Sequence, residues 1–269
     1  MTFQLHGARC LVTGASRGLG RHIAVALGNE GAHLHLCARS ADGLESVARE
    51  VTDVGGRAEI HAIDVTDRIS VAALVHELEH EGIDVLVNNA GIEKICYFHE
   101  LPMDAMLAML EVNLTASLVM TRLVIPGMVA RKRGHIVNIA SLAGKTGPPL
   151  AETYAVTKAG LIAFTQSLRV SYAGTGVSAS AVCPGYVRGE GVFADRARRS
   201  GVGGPALAGT SAPQDVGRAV VRAIERDEPE LLVTPTPARL LAALGQLQPR
   251  FPGWLLKTMG LRKIYEQQR

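Results

Sequence analysis

Aromatic residues are scarce in this 269-residue chain, and a strong excess of charge of either sign is also lacking. Phe, Trp and Tyr together make up 4% of the residues, too few for the stacked aromatic platform that binds single-stranded nucleic acid. The formal net charge is only +3, and the basic residues are dispersed, so a polyanionic partner is not indicated. We therefore expect no nucleic-acid-binding role.

Cysteine motifs and long hydrophobic runs are missing as well. The cysteines are Cys10, Cys37, Cys96 and Cys183. They form no CxxC pair and no Cys/His cluster at metal-ligand spacing, so we expect reduced core thiols, no metal site and a cytoplasmic protein. No uninterrupted apolar run reaches the roughly 18 residues of a membrane span, which predicts no transmembrane segment. The first strand follows Met1 too closely for a signal peptide.

The composition that is present fits an ordinary α/β protein, with 47% apolar and 20% charged residues. The predicted strands are Ala8–Thr13, His33–Ala38, Ala58–Asp64, Asp84–Asn88, His135–Ala140, Val177–Cys183 and Glu230–Thr234. The predicted helices are Arg21–Asn29, Leu44–Val54, Val71–Glu81, Met103–Val129 with a bend near Pro126, Glu152–Ala173, and Pro213 to about Glu225. Strands separated by helices imply right-handed crossovers. We predict one domain over residues 1–269, a doubly wound Rossmann fold with a single seven-stranded parallel sheet and helices on both faces.

A glycine-rich turn, Thr13-Gly14-Ala15-Ser16-Arg17-Gly18-Leu19-Gly20, follows the first strand and opens a helix. Gly14 permits the tight turn, while Gly18 and Gly20 let the backbone approach a pyrophosphate at the positive end of the helix. The turn therefore predicts a dinucleotide site, against the alternative of a structural turn without a ligand.

The end of the second strand bears on the choice between the two nicotinamide cofactors. Cys37-Ala38-Arg39-Ser40 contains no carboxylate that would repel a 2′-phosphate. Arg39, helped by Arg17 of the glycine turn, can bind such a phosphate through its guanidinium group. The alternative is that both arginines are solvated loop residues. We predict NADP(H), with NAD(H) as the less favoured cofactor.

Tyr154 and Lys158 are four residues apart on a predicted helix, thirteen residues after Ser141. This spacing places the two side chains on one helix face. An ordinary tyrosine has a pKa of about 10, and a nearby ammonium favours the phenolate. The pair is therefore a candidate for acid–base catalysis at neutral pH.

Together with Asn88-Asn89-Ala90-Gly91, Asn113 and Pro184-Gly185, these motifs resemble the short-chain dehydrogenase/reductase family over roughly residues 5 to 235. The resemblance implies that Tyr154 is the catalytic acid/base and that Ser141 hydrogen-bonds the substrate oxygen. Lys158 would bind the nicotinamide ribose, and Asn113 would hold a water through its backbone at a helix kink. The implied cofactor-binding residues are Gly14, Ser16, Arg17, Gly18, Leu19, Gly20, Arg39, Asp64, Val65, Asn88, Ala90, Gly91, Tyr154, Lys158, Pro184, Gly185 and Val187. Taken singly, Asn113, Ser141 and Asp64 also fit helix-interior, turn and capping roles.

Arg188 is a departure from the family pattern. Members of the family usually place a threonine three residues after the glycine of Pro184-Gly185, where it meets the nicotinamide carboxamide. Here Arg188 stands at that position, and no hydroxyl follows until Ser200. Arg188 either contacts cofactor phosphate or an anionic substrate, or faces solvent on a mobile loop, and we favour solvent.

The combined prediction is an oxidoreductase that transfers hydride between NADP(H) and a ketone or aldehyde and its alcohol. The lid is expected at 187–212, and the apolar, basic tail at 236–269 suggests a lipophilic substrate, an intersubunit contact or a peripheral membrane contact. The resemblance implies a homo-tetramer or homo-dimer. The alternatives are an NADP(H)-binding redox sensor without turnover, and an isomerase, epimerase or dehydratase on the same fold. The histidines, including His33 and His35, indicate no site of their own.

Overall fold

Seven parallel strands form the sheet of this protein, seen in a computed structural model that describes residues 3–202, 209–236, 239 and 261–268. The strands are β1 (Arg9–Thr13), β2 (His33–Ala38), β3 (Arg57–Ala62), β4 (Val85–Asn88), β5 (Gly134–Ile139), β6 (Val177–Pro184) and β7 (Glu230–Val233). Their order across the sheet is β3-β2-β1-β4-β5-β6-β7, and every pairing is parallel. The predicted doubly wound Rossmann fold is confirmed.

Helices connect these strands and cover both faces. They are α1 (Gly18–Asn29), α2 (Ala41–Asp53), α3 (Arg68–Leu78), α4 (Met103–Leu110), α5 (Ala116–Arg131), α6 (Ala143–Thr146), α7 (Glu152–Ser171), α8 (Val192–Ser200), α9 (Pro213–Arg226) and α10 (Leu261–Gln267). Alternate residues of each strand point to opposite faces, so Val12 packs with α1, α2 and α9, whereas Leu11 packs with α3 and α5. Both faces of the sheet are therefore buried, as the crossovers of a parallel sheet require.

The strand order reverses between β1 and β4. The connection that leaves β1 runs over one face of the sheet, and the connection that leaves β4 runs over the other. At such a point the connecting segments diverge and leave a crevice at the carboxyl ends of the strands. Thr13, Ala38, Asn88 and Ile139 all lie at or next to these strand ends. The fold thus places the glycine turn and the segments that follow β2, β4 and β5 around one crevice.

The long helix predicted at Met103–Val129 is interrupted at Asn113, where the family resemblance implied a kink, and not near Pro126. A turn of π-helix at Glu111–Thr115 separates α4 from α5, whereas Pro126 lies inside regular α5. The wide turn carries Asn113, whose side chain bonds the backbone of Ile92 instead of continuing a regular helical surface. A π-turn of this kind is often found at a functional site.

The stretch Met103–Arg131 is long and apolar enough to cross a membrane, by length and composition alone. Its inner side is part of the core, where Met120, Val124 and Met128 pack among residues of β4, β5 and α3. Thr121 on the same side accepts a hydrogen bond from Asn88. Packing against the sheet is therefore a sufficient reason for its apolar sequence.

Candidate active site

The crevice at the carboxyl edge of the sheet has a volume of about 1200 Å³. Its lining joins the glycine turn, the ends of five strands, α7 and the start of α8. The predicted residues that line it are Gly14, Ser16, Arg17, Gly18, Leu19, Gly20, Arg39, Asp64, Val65, Ala90, Gly91, Ser141, Tyr154, Lys158, Pro184, Gly185 and Val187. The two predicted residues outside this lining are Asn88 and Asn113, which lie behind it.

The glycine turn leaves room for a ligand because side chains could not fit there. Gly14 has a φ of 64°, and a Cβ at this position would lie 2.8 Å from the Cα of Ala90. At Gly20 a Cβ would lie 2.1 Å from the Gly14 carbonyl oxygen. Among the described residues no side chain caps the start of α1, which leaves its first N–H groups without a side-chain partner, and Gly18, Leu19 and Gly20 of this first turn line the crevice. These features fit the pyrophosphate of a dinucleotide.

Thr13 and Asn89 bind the glycine turn to the end of β4. The Thr13 hydroxyl accepts hydrogen bonds from the backbone N–H groups of Asn89 (3.0 Å) and Ala90 (3.2 Å). The Asn89 side-chain amide donates to the carbonyl oxygens of Thr13 (2.9 Å) and Gly14 (3.1 Å). Asn89 also lines the crevice. Asn89 is a site residue that was not predicted from the sequence, although it stands in the Asn-Asn-Ala-Gly motif.

Arg39 and Asp64 face each other at the far end of the crevice. The Arg39 Nη1 lies 3.9 Å from the Asp64 carboxylate, and the Arg39 side chain is 78% exposed. Asp64 accepts hydrogen bonds from the backbone N–H (3.0 Å) and hydroxyl (2.8 Å) of Thr66. These bonds, with the charge of Arg39, lower the pKa of Asp64. Asp64 therefore stabilises its own turn and also lines the crevice.

Ion pairs join the segment predicted as a lid to the glycine turn and α1. Arg17 Nη1 lies 3.1 Å from the Asp195 carboxylate of α8, and Arg21 Nη1 lies 2.9 Å from Glu190. Gly191 passes close to Gly18, so the start of the lid sits over the glycine turn. Asp195 and Glu190 both line the crevice. Neither was predicted from the sequence as a site residue.

Tyr154 and Lys158 lie together on α7, at the opposite end of the crevice from Arg39. The Lys158 Nζ is 5.7 Å from the centre of the Tyr154 ring and donates a 2.7 Å hydrogen bond to the Ile139 carbonyl oxygen. Burial lowers the pKa of Lys158 to about 8, so the side chain is still mostly an ammonium at pH 7. Ser141 lines the same region, and its hydroxyl accepts a hydrogen bond from the Ala143 N–H (3.1 Å).

Asn113 and Asn88 support the crevice from behind. Asn113 accepts a hydrogen bond from the Ile92 N–H and donates one to the Ile92 carbonyl oxygen, both at 2.8 Å. Asn88 donates to Thr121 (3.0 Å) and to Asn138 (2.8 Å). The side chain of Asn113 thus holds the segment after Gly91 in place, and its predicted backbone contact with a water stays a prediction.

In the segment after β6, the side chain of Val187 is buried and that of the next residue, Arg188, is exposed. Val187 also forms an isolated bridge with Ser211. Arg188 is also absent from the described residues that line the crevice. This position agrees with the solvent-facing alternative favoured by the sequence.

The last helix, α10, packs against residues near the crevice. Tyr265 is buried in a cluster with Tyr154, Leu150 and Met109. Its hydroxyl lies 3.1 Å from that of Tyr186. The residues of the predicted apolar tail between 240 and 260 lie outside the described residues. The described end of the tail is thus close to the proposed catalytic tyrosine.

Known proteins are similar to this chain in sequence and in fold. The profile of the short chain dehydrogenase family matches residues 8–199. Ketoacyl reductase HetN of Nostoc sp. is 41% identical over 252 residues, which cover 91% of this chain and 86% of HetN. Oxidoreductase UcpA of Escherichia coli is 39% identical over 188 residues, which cover 69% of this chain and 71% of UcpA. The crystal structure of a metagenomic short-chain oxidoreductase in complex with NADP matches with a TM-score of 0.74 and 34% identity, covering 87% of this chain and 99% of that one.

This chain belongs to the short-chain dehydrogenase/reductase family. It is an oxidoreductase that acts on CH–OH groups, built on the family's nucleotide-binding fold. The family assignment made from the sequence motifs is confirmed.

Proposed function

We propose that the protein is an NADP(H)-dependent carbonyl reductase and alcohol dehydrogenase, with Tyr154 as the acid/base. The main support is that Tyr154, Lys158 and Ser141 line the same crevice as the glycine turn. One crevice therefore has both a place for a dinucleotide and a proton donor for the reacting oxygen.

The nicotinamide cofactor supplies the hydride, and the residues of this chain manage the substrate oxygen and its proton. In reduction, Tyr154 delivers a proton to the carbonyl oxygen while Ser141 donates a hydrogen bond to it. Both donors would stabilise the negative charge that develops on this oxygen. Lys158 stabilises the phenolate that remains, because its ammonium lies beside the ring.

The proposed preference for NADP(H) rests on Arg39 and Arg17. Both line the crevice on the side of the glycine turn and the end of β2, where the adenosine ribose of a dinucleotide would lie. Both side chains are largely exposed and can turn toward a phosphate. The NADP complex of the related metagenomic enzyme is consistent with this choice.

The proposed substrate is a lipophilic carbonyl compound, with an acyl chain as the first candidate. Leu150, Met109 and Ile95 form an apolar cluster that includes both Tyr154 and Tyr265, so apolar side chains pack against the tyrosine that lines the crevice. HetN, a relative of this chain, is named a ketoacyl reductase. The predicted tail contact with a membrane or with another subunit remains a separate proposal.

The test is oxidation of NADPH, followed at 340 nm, against ketones and β-ketoacyl thioesters of graded chain length. Tyr154→Phe should lower kcat by about 10²- to 10⁴-fold, with unchanged affinity for NADPH measured by fluorescence titration. Tyr172→Phe is the matched control, since Tyr172 follows the distant end of α7, and it should keep wild-type turnover.

Three results would contradict the proposal. Turnover retained in Tyr154→Phe would remove the catalytic assignment. Tight NADPH binding without turnover on any carbonyl would favour the redox sensor. Conversion of substrate with no net consumption of NADPH would favour an isomerase.

The role of α10 is tested with the same substrates. A chain ending at Gly260 lacks α10 and with it the buried Tyr265. We expect kcat/KM to fall more for long acyl chains than for short ones, because the apolar cluster around Tyr154 loses one wall. Tyr265→Phe keeps the ring and should retain the preference for long chains. Equal losses at all chain lengths would argue against a substrate wall at α10.

A further inference from the structure

A second group of polar side chains lies on the outer strands of the sheet, away from the crevice. The register of β2 and β3 pairs His35 with Glu59, and His61 follows two residues later on the same face of β3. The Nδ1 of His35 lies 3.3 Å from the Nε2 of His61 and 3.9 Å from the Glu59 carboxylate. One ligand atom from each of the three residues lies within 4.8 Å of the other two.

We propose that His35, Glu59 and His61 form a binding site for a divalent transition-metal ion, with Zn²⁺ as the reference ion. Two imidazoles and one carboxylate suit zinc, cobalt, nickel or copper, whereas magnesium and calcium prefer an all-oxygen set. The sequence indicated no such site, because these residues form no local motif and are brought together only by strand pairing.

The distances fit tetrahedral coordination. With zinc–nitrogen bonds of about 2.0–2.1 Å, two ligands at the tetrahedral angle are about 3.3 Å apart. The two imidazole nitrogens of His35 and His61 already have this separation. The Glu59 oxygen is slightly farther away, but its side chain is 57% exposed and can rotate inward.

The surroundings also favour a bound cation. The carboxylate of Glu81 places negative charge near His35, and that of Glu77 places it near His61. His33 lies 3.1 Å from Glu59 and orients its carboxylate, as outer partners of metal ligands do.

The site is accessible and lies where a metal would have a structural effect. The Glu59 side chain is 57% exposed, so the site can be reached from solvent. Because β3 is the edge strand, it is held on one side only. A metal bound by His35 of β2 and two residues of β3 would therefore fasten the edge strand to its neighbour.

The competing explanation is that these side chains are held together by hydrogen bonds alone. One imidazole would donate to the other, and Glu59 would pair with His33, with no affinity for a metal. A second complication is the pair His76 and His80, four residues apart, whose rings are 5.5 Å apart. His76 is on α3 and His80 follows its end, and two neighbouring imidazoles can bind a transition metal by themselves, so this pair must be removed before the proposed site is measured.

The experiment uses the full, untagged chain with His76→Gln, freed of metal with a chelator and titrated with Co²⁺. We expect one ion per chain, visible absorption typical of a four-coordinate ion, and displacement by Zn²⁺. Zn²⁺ should also raise the Tm. Adding His61→Gln should weaken Co²⁺ binding at least tenfold and abolish the Tm shift. Adding Glu59→Gln, a milder change on the exposed edge, should weaken binding in the same direction.

Adding His99→Gln instead is the matched control, because His99 is exposed and far from β3 in the sequence. Its affinity should equal that of the His76→Gln parent. Equal Co²⁺ affinity in the parent, the His61→Gln and the Glu59→Gln variants, each folded by circular dichroism, would overturn the proposal. No binding by the parent would overturn it as well. Neither result depends on turnover, so the proposed reductase activity is tested independently.

Discussion

Arg17 of the glycine turn and Asp195 of α8 form an ion pair, with 3.1 Å between Nη1 and the carboxylate. The pair joins residues 178 positions apart in the chain and connects the lid to the proposed phosphate site. Arg17 is 82% exposed, so the pair itself adds little to stability. The pair places the negative charge of the Asp195 carboxylate beside Arg17, which we propose binds a 2′-phosphate.

Asp195→Asn should therefore tighten NADPH binding. The substitution removes a carboxylate that competes with phosphate for Arg17, and exposed ion pairs contribute up to about 1 kcal/mol. We expect KM for NADPH to fall about two- to fivefold, with KM for NADH unchanged. Glu190→Gln is the control, because Glu190 pairs with Arg21 instead of Arg17. Equal changes for both cofactors would instead assign Asp195 to positioning of the lid.

Arg39→Ala should weaken the preference for NADPH. A charge-assisted hydrogen bond to phosphate contributes about 1.5–3 kcal/mol, so KM for NADPH should rise at least about tenfold while KM for NADH stays within about twofold. Steady-state kinetics with both cofactors measure this. Arg188→Ala removes another exposed arginine, outside the crevice lining, and should leave both constants unchanged. An unaltered cofactor preference in Arg39→Ala would disprove the proposed phosphate contact.

Gly20→Ala should damage the glycine turn much more than Gly18→Ala. A Cβ at Gly20 would lie 2.1 Å from the Gly14 carbonyl oxygen, so the backbone must move, whereas a Cβ at Gly18 has no described atom closer than 3.6 Å. We expect a loss of about 2–3 kcal/mol or more in the free energy of unfolding at Gly20. At Gly18, where φ is 59°, the expected loss is about 1 kcal/mol. Urea unfolding gives both values, and similar losses would contradict this reading of the turn.

His135 should make the protein less stable in mild acid. Its ring is buried on β5 beside the Ser180 hydroxyl, 2.9 Å away, and burial lowers its pKa to about 4. Below pH 6.5 the unfolded chain takes up a proton that the folded protein accepts only near pH 4. Stability is therefore lost as the pH falls from 6.5 to 4, by an amount on the order of 3 kcal/mol.

Urea unfolding between pH 7.5 and 4.5 measures this loss. His135→Gln keeps a partner for Ser180 without the titrating ring, and we expect its stability to change less with pH over this range. His99→Gln replaces an exposed ring and should keep the wild-type slope. A His135→Gln slope equal to that of the wild type would show that other groups cause the acid sensitivity.

Local patterns in the sequence predicted the order of elements well. The predicted strand His33–Ala38 has the bounds of β2, and the other strands differ by two residues or fewer at either end. The first helix begins at Gly18, earlier than the predicted Arg21, because the glycine turn itself supplies the first turn of α1. Periodicity of apolar residues and the demands of a tight turn are local properties, so the sequence shows them directly.

Other features depend on contacts that no local pattern encodes. The bend expected near Pro126 was wrong, whereas the kink that the family resemblance implied at Asn113 is present at Glu111–Thr115. Hydrogen bonds between the Asn113 side chain and the backbone of Ile92, on another segment, stabilise it. The helix α8, its ion pair with Arg17 and the pair between Glu190 and Arg21 were likewise not predicted.

The fold class, the glycine turn and the Tyr154–Lys158 pair could be predicted from the sequence. Each shows itself in local patterns, either the alternation of strand and helix segments or a motif of a few residues. Three contacts became visible only in the three-dimensional structure. Asn89 donates a hydrogen bond to the glycine turn, Tyr265 packs near Tyr154, and the ring of His35 lies beside that of His61. These partners come from strand register and helix packing, where a shift of one residue would turn each side chain to the other face. That register is set by the burial of the whole sheet, which no single segment specifies.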